Sequence, residues 1–160
     1  KGPERVSKII LSELKTKRLK LRPASEKDAK AIWKWRNEKT TRMNSFNTEP
    51  IPLNEHQKWF IKALRDKRKK MFVIYDDNRK IGYVRVESNG GKELHIAVGE
   101  EYRGFGLGSR AIRMACELFE NKKIIAKIKP SNTASLKAFE RAGFSILSRG
   151  QKVIKMKLII

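Results

Sequence analysis

Cysteine occurs once in the 160 residues, as Cys116. An internal disulfide is therefore excluded, which fits a reducing compartment. Cys116 falls mid-helix among apolar residues, where inert packing is the expected role. Long apolar runs are missing too, and no stretch approaches the ~20 residues of a membrane span. The opening Lys1-Gly2-Pro3-Glu4 is polar and lacks the apolar region of a secretory signal. These absences lead us to expect a cytoplasmic chain with no membrane partner, and no metal site is read from it. The chain does not begin with Met, which points to a processed or excised segment. Internal repeats and low-complexity stretches are also lacking.

Acidic residues are scarce, 17 against 38 lysines and arginines, so the formal net charge is +21. Such a field draws anions and speeds their arrival. Nucleic acid is one class of polyanion. Coenzyme A and nucleotide-diphosphate sugars are others. Lys67-Arg68-Lys69-Lys70 reads as an exposed loop and has none of the interleaved aromatics that stack on single strands. Nucleic acid is therefore the weaker expectation.

The length suits one domain with a real core. Pro3 to Leu14 reads as a short helix with Val6, Ile9, Ile10 and Leu14 on one side, followed by a basic linker to residue 17. Leu19 to Pro23 alternates as a strand. Ser25 then opens a helix to Asn37, with Asp28 as the short form of a capping box. Glu38 to Leu53 shows no period and reads as a loop long enough to suspect function. Pro52 or Asn54 opens a helix through Leu64. Strands are expected at 71–75, 80–87 and 92–98, the last two joined by an Asn89-Gly90-Gly91 turn. After a glycine-rich stretch comes a helix to Asn121, then a strand at 124–128. A helix capped by Ser131 or Asn132 runs to Ala142 and stops at Gly143. Strands at 144–147 and 152–159 close the chain. This order is α+β with a mixed sheet.

The stretch around which the rest is organised is Val98-Gly99-Glu100-Glu101-Tyr102-Arg103-Gly104-Phe105-Gly106-Leu107-Gly108-Ser109-Arg110. It sits between a strand and a helix. Three alternate glycines let the backbone curl. Their N–H groups then point outward at a helix N-terminus, where the macrodipole favours an anion. A Walker A loop would need Gly-Lys-Ser/Thr, and Gly108-Ser109-Arg110 stands there. A Rossmann fingerprint would need its third glycine where Ser109 stands.

The run from Val98 through Arg103-Gly104-x-Gly106-x-Gly108 instead resembles the acetyl-CoA loop of the GNAT N-acetyltransferase superfamily. A second segment, Asn132-x-x-Ser135-x-x-x-Phe139-x-x-x-Gly143-Phe144, resembles that superfamily's second signature. The resemblance covers about residues 18–160, with residues 1–17 left as an N-terminal helix and linker. It implies the GNAT fold, a mixed sheet of about seven strands splayed between the fourth and fifth. Acetyl-CoA is the implied co-substrate. Ile96, Ala97 and Val98 would pair with the pantetheine arm, and the Val98 N–H would face the thioester oxygen. The amides from Arg103 through Gly104, Phe105, Gly106, Leu107 and Gly108 to Ser109 would hold the pyrophosphate. Asn132, Ser135 and Phe139 would line the cofactor channel.

Two departures from the family pattern bear on catalysis. Phe139 stands where many members have a tyrosine acid, and Lys127 where some have a glutamate base. The remaining base candidates are Glu93 and His95, with Glu93 the first choice through water, and His56. On the acceptor side, Trp35-Arg36-Asn37, Asn44-Ser45-Phe46, Ile51-Pro52 and Glu55-His56-x-x-Trp59-Phe60 resemble the acetyltransferases of pseudaminic acid synthesis. These acetylate the 4-amino group of a UDP-linked amino-deoxy sugar. Arg36 and His56 are expected on the diphosphate, and Phe46 or Trp59 against the sugar methyl or the uracil. Lys1-Gly2-Pro3-Glu4-Arg5-Val6 resembles the tail of that pathway's nucleotide-sugar hydrolase, which implies a fusion upstream. Two other readings stay open: acetylation of protein N-termini or ribosomal proteins, and a non-enzymatic basic module. The sequence leaves a homodimer open.

Overall fold

The computed structural model describes residues 18–119 and 123–159. The expected helix at 3–14, the linker and the end of the helix at Asn121 lie outside the described residues. In chain order the elements are β1 (Leu19–Pro23), α1 (Ala29–Asn37), α2 (Lys39–Met43), α3 (Leu53–Arg65), β2 (Lys69–Asp76), β3 (Arg79–Ser88) and β4 (Lys92–Val98). Then follow α4 (Leu107–Glu117), β5 (Lys123–Ile128), α5 (Thr133–Arg141), β6 (Ser145–Arg149) and β7 (Ile154–Ile159). The seven strands form one sheet in the order β1-β2-β3-β4-β5-β7-β6. All pairs are antiparallel except β4 with β5.

Strand alternation divides the apolar residues between two faces. Val84, Val86, Leu94, Ile124, Ala126 and Ile128 pack with Leu107, Ala111, Ile112 and Ala115 of α4. Val73, Tyr83 and Ala97 face the other way and pack with Ile32 and Trp35 of α1 and Phe60 of α3. Ile32, Phe60 and Ile112 have no exposed surface, and burial of each such side chain contributes about 1.5–3 kcal/mol. Cys116 is buried in the first cluster, and burial pushes its thiol pKa up to about 12, as inert packing requires.

Several boundaries differ from the sequence reading. Asp28 does act as the capping partner of Ser25, whose backbone N–H donates to Asp28 Oδ2 at 2.8 Å. A 3-10 turn, Glu26–Asp28, precedes the α-helix, which starts only at Ala29. The expected loop 38–53 contains the short helix α2. Asn37 organises the remainder: its side-chain amide donates to Ile51 O at 3.0 Å and its Oδ1 accepts from Ile51 N at 2.7 Å. Trp33 Nε1 donates to the same carbonyl at 2.7 Å. Lys69 and Lys70 belong to β2 and not to a loop, because their backbones pair with Glu87 and Val86 of β3.

Candidate active site

The site is built on an incomplete strand pair. β4 and β5 are in register only at Lys92 with Ile124 and Glu93 with Ile125. From Leu94 onward they diverge. On the other side β4 stays paired with β3 through Val98, and Gly99 N donates to Ile81 O at 2.7 Å. Hydrogen-bonded and non-bonded pairs alternate in an antiparallel ladder. Gly99, Ala97 and His95 therefore exchange bonds with β3. Ile96 and Val98 turn their N–H and C=O groups away from β3 toward the gap, where the Val98 carbonyl accepts from Arg103 Nε at 2.9 Å. The expectation of three free residues is corrected here, since the Ala97 amide belongs to the β3 ladder.

Gly82 makes this tight pairing sterically allowed. A Cβ at position 82 would lie 2.3 Å from the Ala97 carbonyl oxygen and 2.9 Å from Val98 Cα. Sequence reasoning gave Gly82 no role, although an isolated glycine inside a strand pattern signals close backbone approach.

Two cavities meet at the gap. The first, of about 360 Å³, is lined by Ile96, Ala97, Val98, Arg103, Gly104, Gly106, Leu107, Gly108, Ser109, Asn132 and Ser135, among others. Gly104 and Gly106 adopt φ of 83° and 75°, where a Cβ would be strained. Gly106 thereby turns the chain into the N-terminus of α4. Phe105 does not line this cavity, and its side chain packs on the core. Asn132 Oδ1 caps α5 by accepting from Ser135 N at 3.2 Å.

The second cavity, of about 280 Å³, is lined by Leu94, Ile128 and Phe139 of the first cluster together with Tyr83 and Ala97 of the second. Thr41, Asn44, Ser45, Ile96, Ala97, Asn132 and Ser135 line both. The second is walled by Arg36, Arg85 and Lys127, with Glu49, Tyr83, His95, Phe46 and Phe139. Phe139 is moved from the expected cofactor channel: it is buried edge-on against Phe144 at 5.0 Å and meets this second cavity.

Of the expected acceptor contacts, Arg36 and Phe46 reach the cavity and two do not. His56 is fully buried. Its Nε2 lies 2.9 Å from Ala29 O and its Nδ1 lies 3.1 Å from Arg36 Nη1. Those partners set the tautomer: Nε2–H donates to the carbonyl and Nδ1 accepts from the guanidinium. Burial and Arg36 lower its pKa to about 4, so the ring is neutral at pH 7. His56 is thus a prop for Arg36 and lines neither cavity. Trp59 lies beneath the cavity wall, its ring covered by Arg36 at 4.3 Å, Arg85 at 5.3 Å and Lys69 at 5.7 Å.

The base candidates are also reordered. Glu93 sits at the closed end of the strand pair and lines neither cavity. Its carboxylate is 3.5 Å from Lys127 Nζ and 3.5 Å from His95 Nε2. His95 does line the acceptor cavity, while its Nε2 is buried without a hydrogen-bond partner. Burial, with Arg85 next, lowers the His95 pKa to about 4 against the opposing pull of Glu93 and Glu87. The ring is neutral at pH 7 and holds a free lone pair.

Sequence reasoning missed Arg85, Tyr83 and Lys127 as acceptor-cavity residues. The signal was present in β3: Tyr83, Arg85 and Glu87 alternate with the buried Val84 and Val86. An arginine in a strand interior is accommodated by anionic and aromatic neighbours. Here Glu87 at 2.9 Å and Trp59 supply them.

Splayed strands, a glycine turn at a helix N-terminus and a second cavity across the gap define an acyltransferase architecture. The family model described as acetyltransferase (GNAT) domain matches residues 18–145. The chain belongs to this family and is an acetyl-CoA-dependent N-acetyltransferase. YwnH of Bacillus subtilis, which carries the provisional name phosphinothricin acetyltransferase, is 28% identical over 137 residues, 78% of this chain and 83% of its own. A protein of Methanocaldococcus jannaschii is 26% identical over 142 residues, covering 82% of this chain but 29% of that longer one. The spermidine N-acetyltransferase of Vibrio cholerae, solved with CoA and spermine, superimposes with a TM-score of 0.80 at 23% identity, over 89% of this chain and 96% of that one. No helix among the described residues is long and apolar enough to cross a membrane.

Proposed function

We propose that the chain transfers acetyl from acetyl-CoA to the amino group of an anionic acceptor, a UDP-linked 4-amino-deoxy sugar of the pseudaminic acid type. The observation that carries the acceptor class is the sign of the second cavity. Arg36, Arg85 and Lys127 face it, and its lining contains one carboxylate, Glu49. A polycation such as spermidine would meet like charge there. A diphosphate would find two guanidinium groups with fixed orientation, Arg36 propped by His56 and both resting on Trp59. Phe46, exposed at the rim, offers a face for a base or a sugar methyl.

In this reading the N–H and C=O of Ile96 and the N–H of Val98 bond the pantetheine arm as a substitute strand, the Val98 carbonyl being held by Arg103 Nε at 2.9 Å. The amides from Gly104 to Ser109 hold the pyrophosphate. The acceptor amine attacks the thioester carbonyl carbon, and the Val98 N–H donates to the oxygen as negative charge grows on it. The C–S bond then breaks and the thiolate leaves. The amine proton passes through water to His95, which is three residues from Val98, about 10 Å along the strand. Glu93 orients that ring. A sugar amine beside oxygenated carbons is a weaker base than lysine, so a weak acceptor of its proton suffices. The thiolate takes its proton from water, since Phe139 cannot donate.

The M. jannaschii relative is longer than the region it shares with this chain. An upstream hydrolase domain in the full reading frame is part of this proposal and rests on the resemblance of residues 1–6 alone.

The test is thiol release from acetyl-CoA with a UDP-4-amino-deoxy sugar, with spermidine, with an aminoglycoside and with an N-terminal peptide. Release with the nucleotide sugar alone is the expected result. Release with spermidine or peptide alone overturns the acceptor assignment and leaves the enzyme class standing.

A further inference from the structure

Two cations stand in the first cavity without a partner. The residues of α5 that line this cavity and not the second are Ala134, Lys137, Ala138 and Arg141. Their spacing of three, one and three puts them on one face of the helix. Asn132 and Ser135, at the start of the helix, line both cavities, so the stripe leads away from the gap on the donor side. Ala138 stands against the first turn of α4, where a Cβ on Gly108 would lie 3.9 Å from Ala138 Cβ. The stripe therefore borders the glycine turn, with Lys137 and Arg141 one helical turn apart, about 6 Å along the axis. The lining of the first cavity holds no carboxylate, and its basic residues are Arg103, Lys137 and Arg141. Arg103 is taken up by Glu38 at 2.9 Å. Lys137 and Arg141 are exposed, and among the described residues neither head group has an ion pair or a hydrogen bond. Two neighbouring cations repel each other, and an anion shared between them relieves that repulsion.

We infer that Lys137 and Arg141 form a phosphomonoester subsite for the 3′-phosphate of coenzyme A, so that the enzyme selects coenzyme A over its 3′-dephospho form. The inference rests on the pyrophosphate lying on the glycine turn. Backbone amides suffice for a diphosphate diester, whose charge is spread over two phosphorus centres. A monoester is close to a dianion at pH 7 and is held best by charged donors. The 3′-phosphate sits one sugar ring from the pyrophosphate, which suits long side chains on a stripe that borders the turn. Lys137 offers a mobile point charge, and Arg141 offers a planar fork. The small Ala134 and Ala138 leave the space between them open.

The experiment is calorimetric titration with coenzyme A and with 3′-dephospho-coenzyme A. The wild type should bind coenzyme A at least ~10-fold tighter at low salt, and the advantage should shrink as salt screens two exposed cations. In the double variant Lys137→Gln, Arg141→Gln the advantage should fall to about 2-fold or less, with affinity for the dephospho form within about 2-fold of the wild type. Lys123 and Lys155 are exposed on β5 and β7 and line neither cavity. The double variant Lys123→Gln, Lys155→Gln removes as much charge and should keep the advantage. Equal binding of the two ligands by the wild type overturns the inference. So does an advantage that survives Lys137→Gln, Arg141→Gln. An advantage abolished by Lys123→Gln, Lys155→Gln also overturns it, because the net charge and not a site would then be at work. Gly108→Ala should weaken both ligands alike and keep their ratio. If it spares both, the pyrophosphate does not lie on the turn, and the subsite falls with that reading.

Discussion

Arg36 Nη1 donates to His56 Nδ1 at 3.1 Å, a bond that exists only while the ring is neutral. The fully buried His56 has a pKa lowered to about 4 in the folded chain, against 6.5 when free. The unfolded chain therefore binds more protons between pH 6.5 and 4. Stability is fully present above 6.5 and is lost as pH falls through this window, by about 3 kcal/mol at pH 4 from this group. His95 adds a smaller share of the same sign, being partly exposed. Denaturant titrations from pH 7.5 to 4 should show this slope, and His56→Phe should flatten it. A pH-independent midpoint in the wild type contradicts the buried neutral ring.

Gly82 and Ala97 define the second prediction. An added Cβ would sit 2.3 Å from the Ala97 oxygen, which is backbone and cannot swing aside. Gly82→Ala should destabilise by about 2 kcal/mol or more and displace β4 where Val98 presents its N–H. Urea unfolding measures the first effect and kcat the second. A variant with unchanged midpoint and kcat would show that the β3–β4 approach is not fixed.

Gly108 behaves in the opposite way. A Cβ there would stand 3.9 Å from Ala138 Cβ and from Val98 Cγ2, an ordinary contact, in a helix and at negative φ. Gly108→Ala should therefore leave the fold as stable or firmer by up to about 1 kcal/mol. Yet the methyl projects into the first cavity, so acetyl-CoA affinity should fall by ~10-fold, about 1.4 kcal/mol. Melting temperature and calorimetry together separate the two effects.

Much of this architecture was legible in the sequence, and the gaps have physical causes. The glycine turn, Asn132 and Gly143 are local signals, because a positive φ or a helix cap demands particular residue types. Strand alternation placed Val84 and Val86 correctly. The roles of His56 and Trp59 were not legible, since a helix period tells which residues face inward but not which of them stop short of a cavity. Glu93 and His95 share a strand face, and only the partial β4–β5 pairing reveals that one is enclosed and the other lines the cavity. Helix α2 is too short and too polar to leave a period.

Arg85 tests the sign of the acceptor cavity. Arg85→Glu replaces a cavity guanidinium by a carboxylate next to Glu87. The KM for the nucleotide sugar should rise at least ~10-fold, while acetyl-CoA affinity, set in the first cavity, which Arg85 does not line, changes little. Spermidine turnover should rise from its baseline. An unchanged KM would remove Arg85 from acceptor recognition.

The amides of Ile96 and Val98 bear most directly on how the cofactor is held. Residue-resolved hydrogen exchange should find both fast in the free protein and Ala97 slow, because only Ala97 donates to β3. Saturating acetyl-CoA should slow Ile96 and Val98 by at least ~10-fold and leave Ala97 as it was. If Ile96 and Val98 are already protected without ligand, or remain fast with acetyl-CoA bound, the opened strand pair is not where the thioester lies.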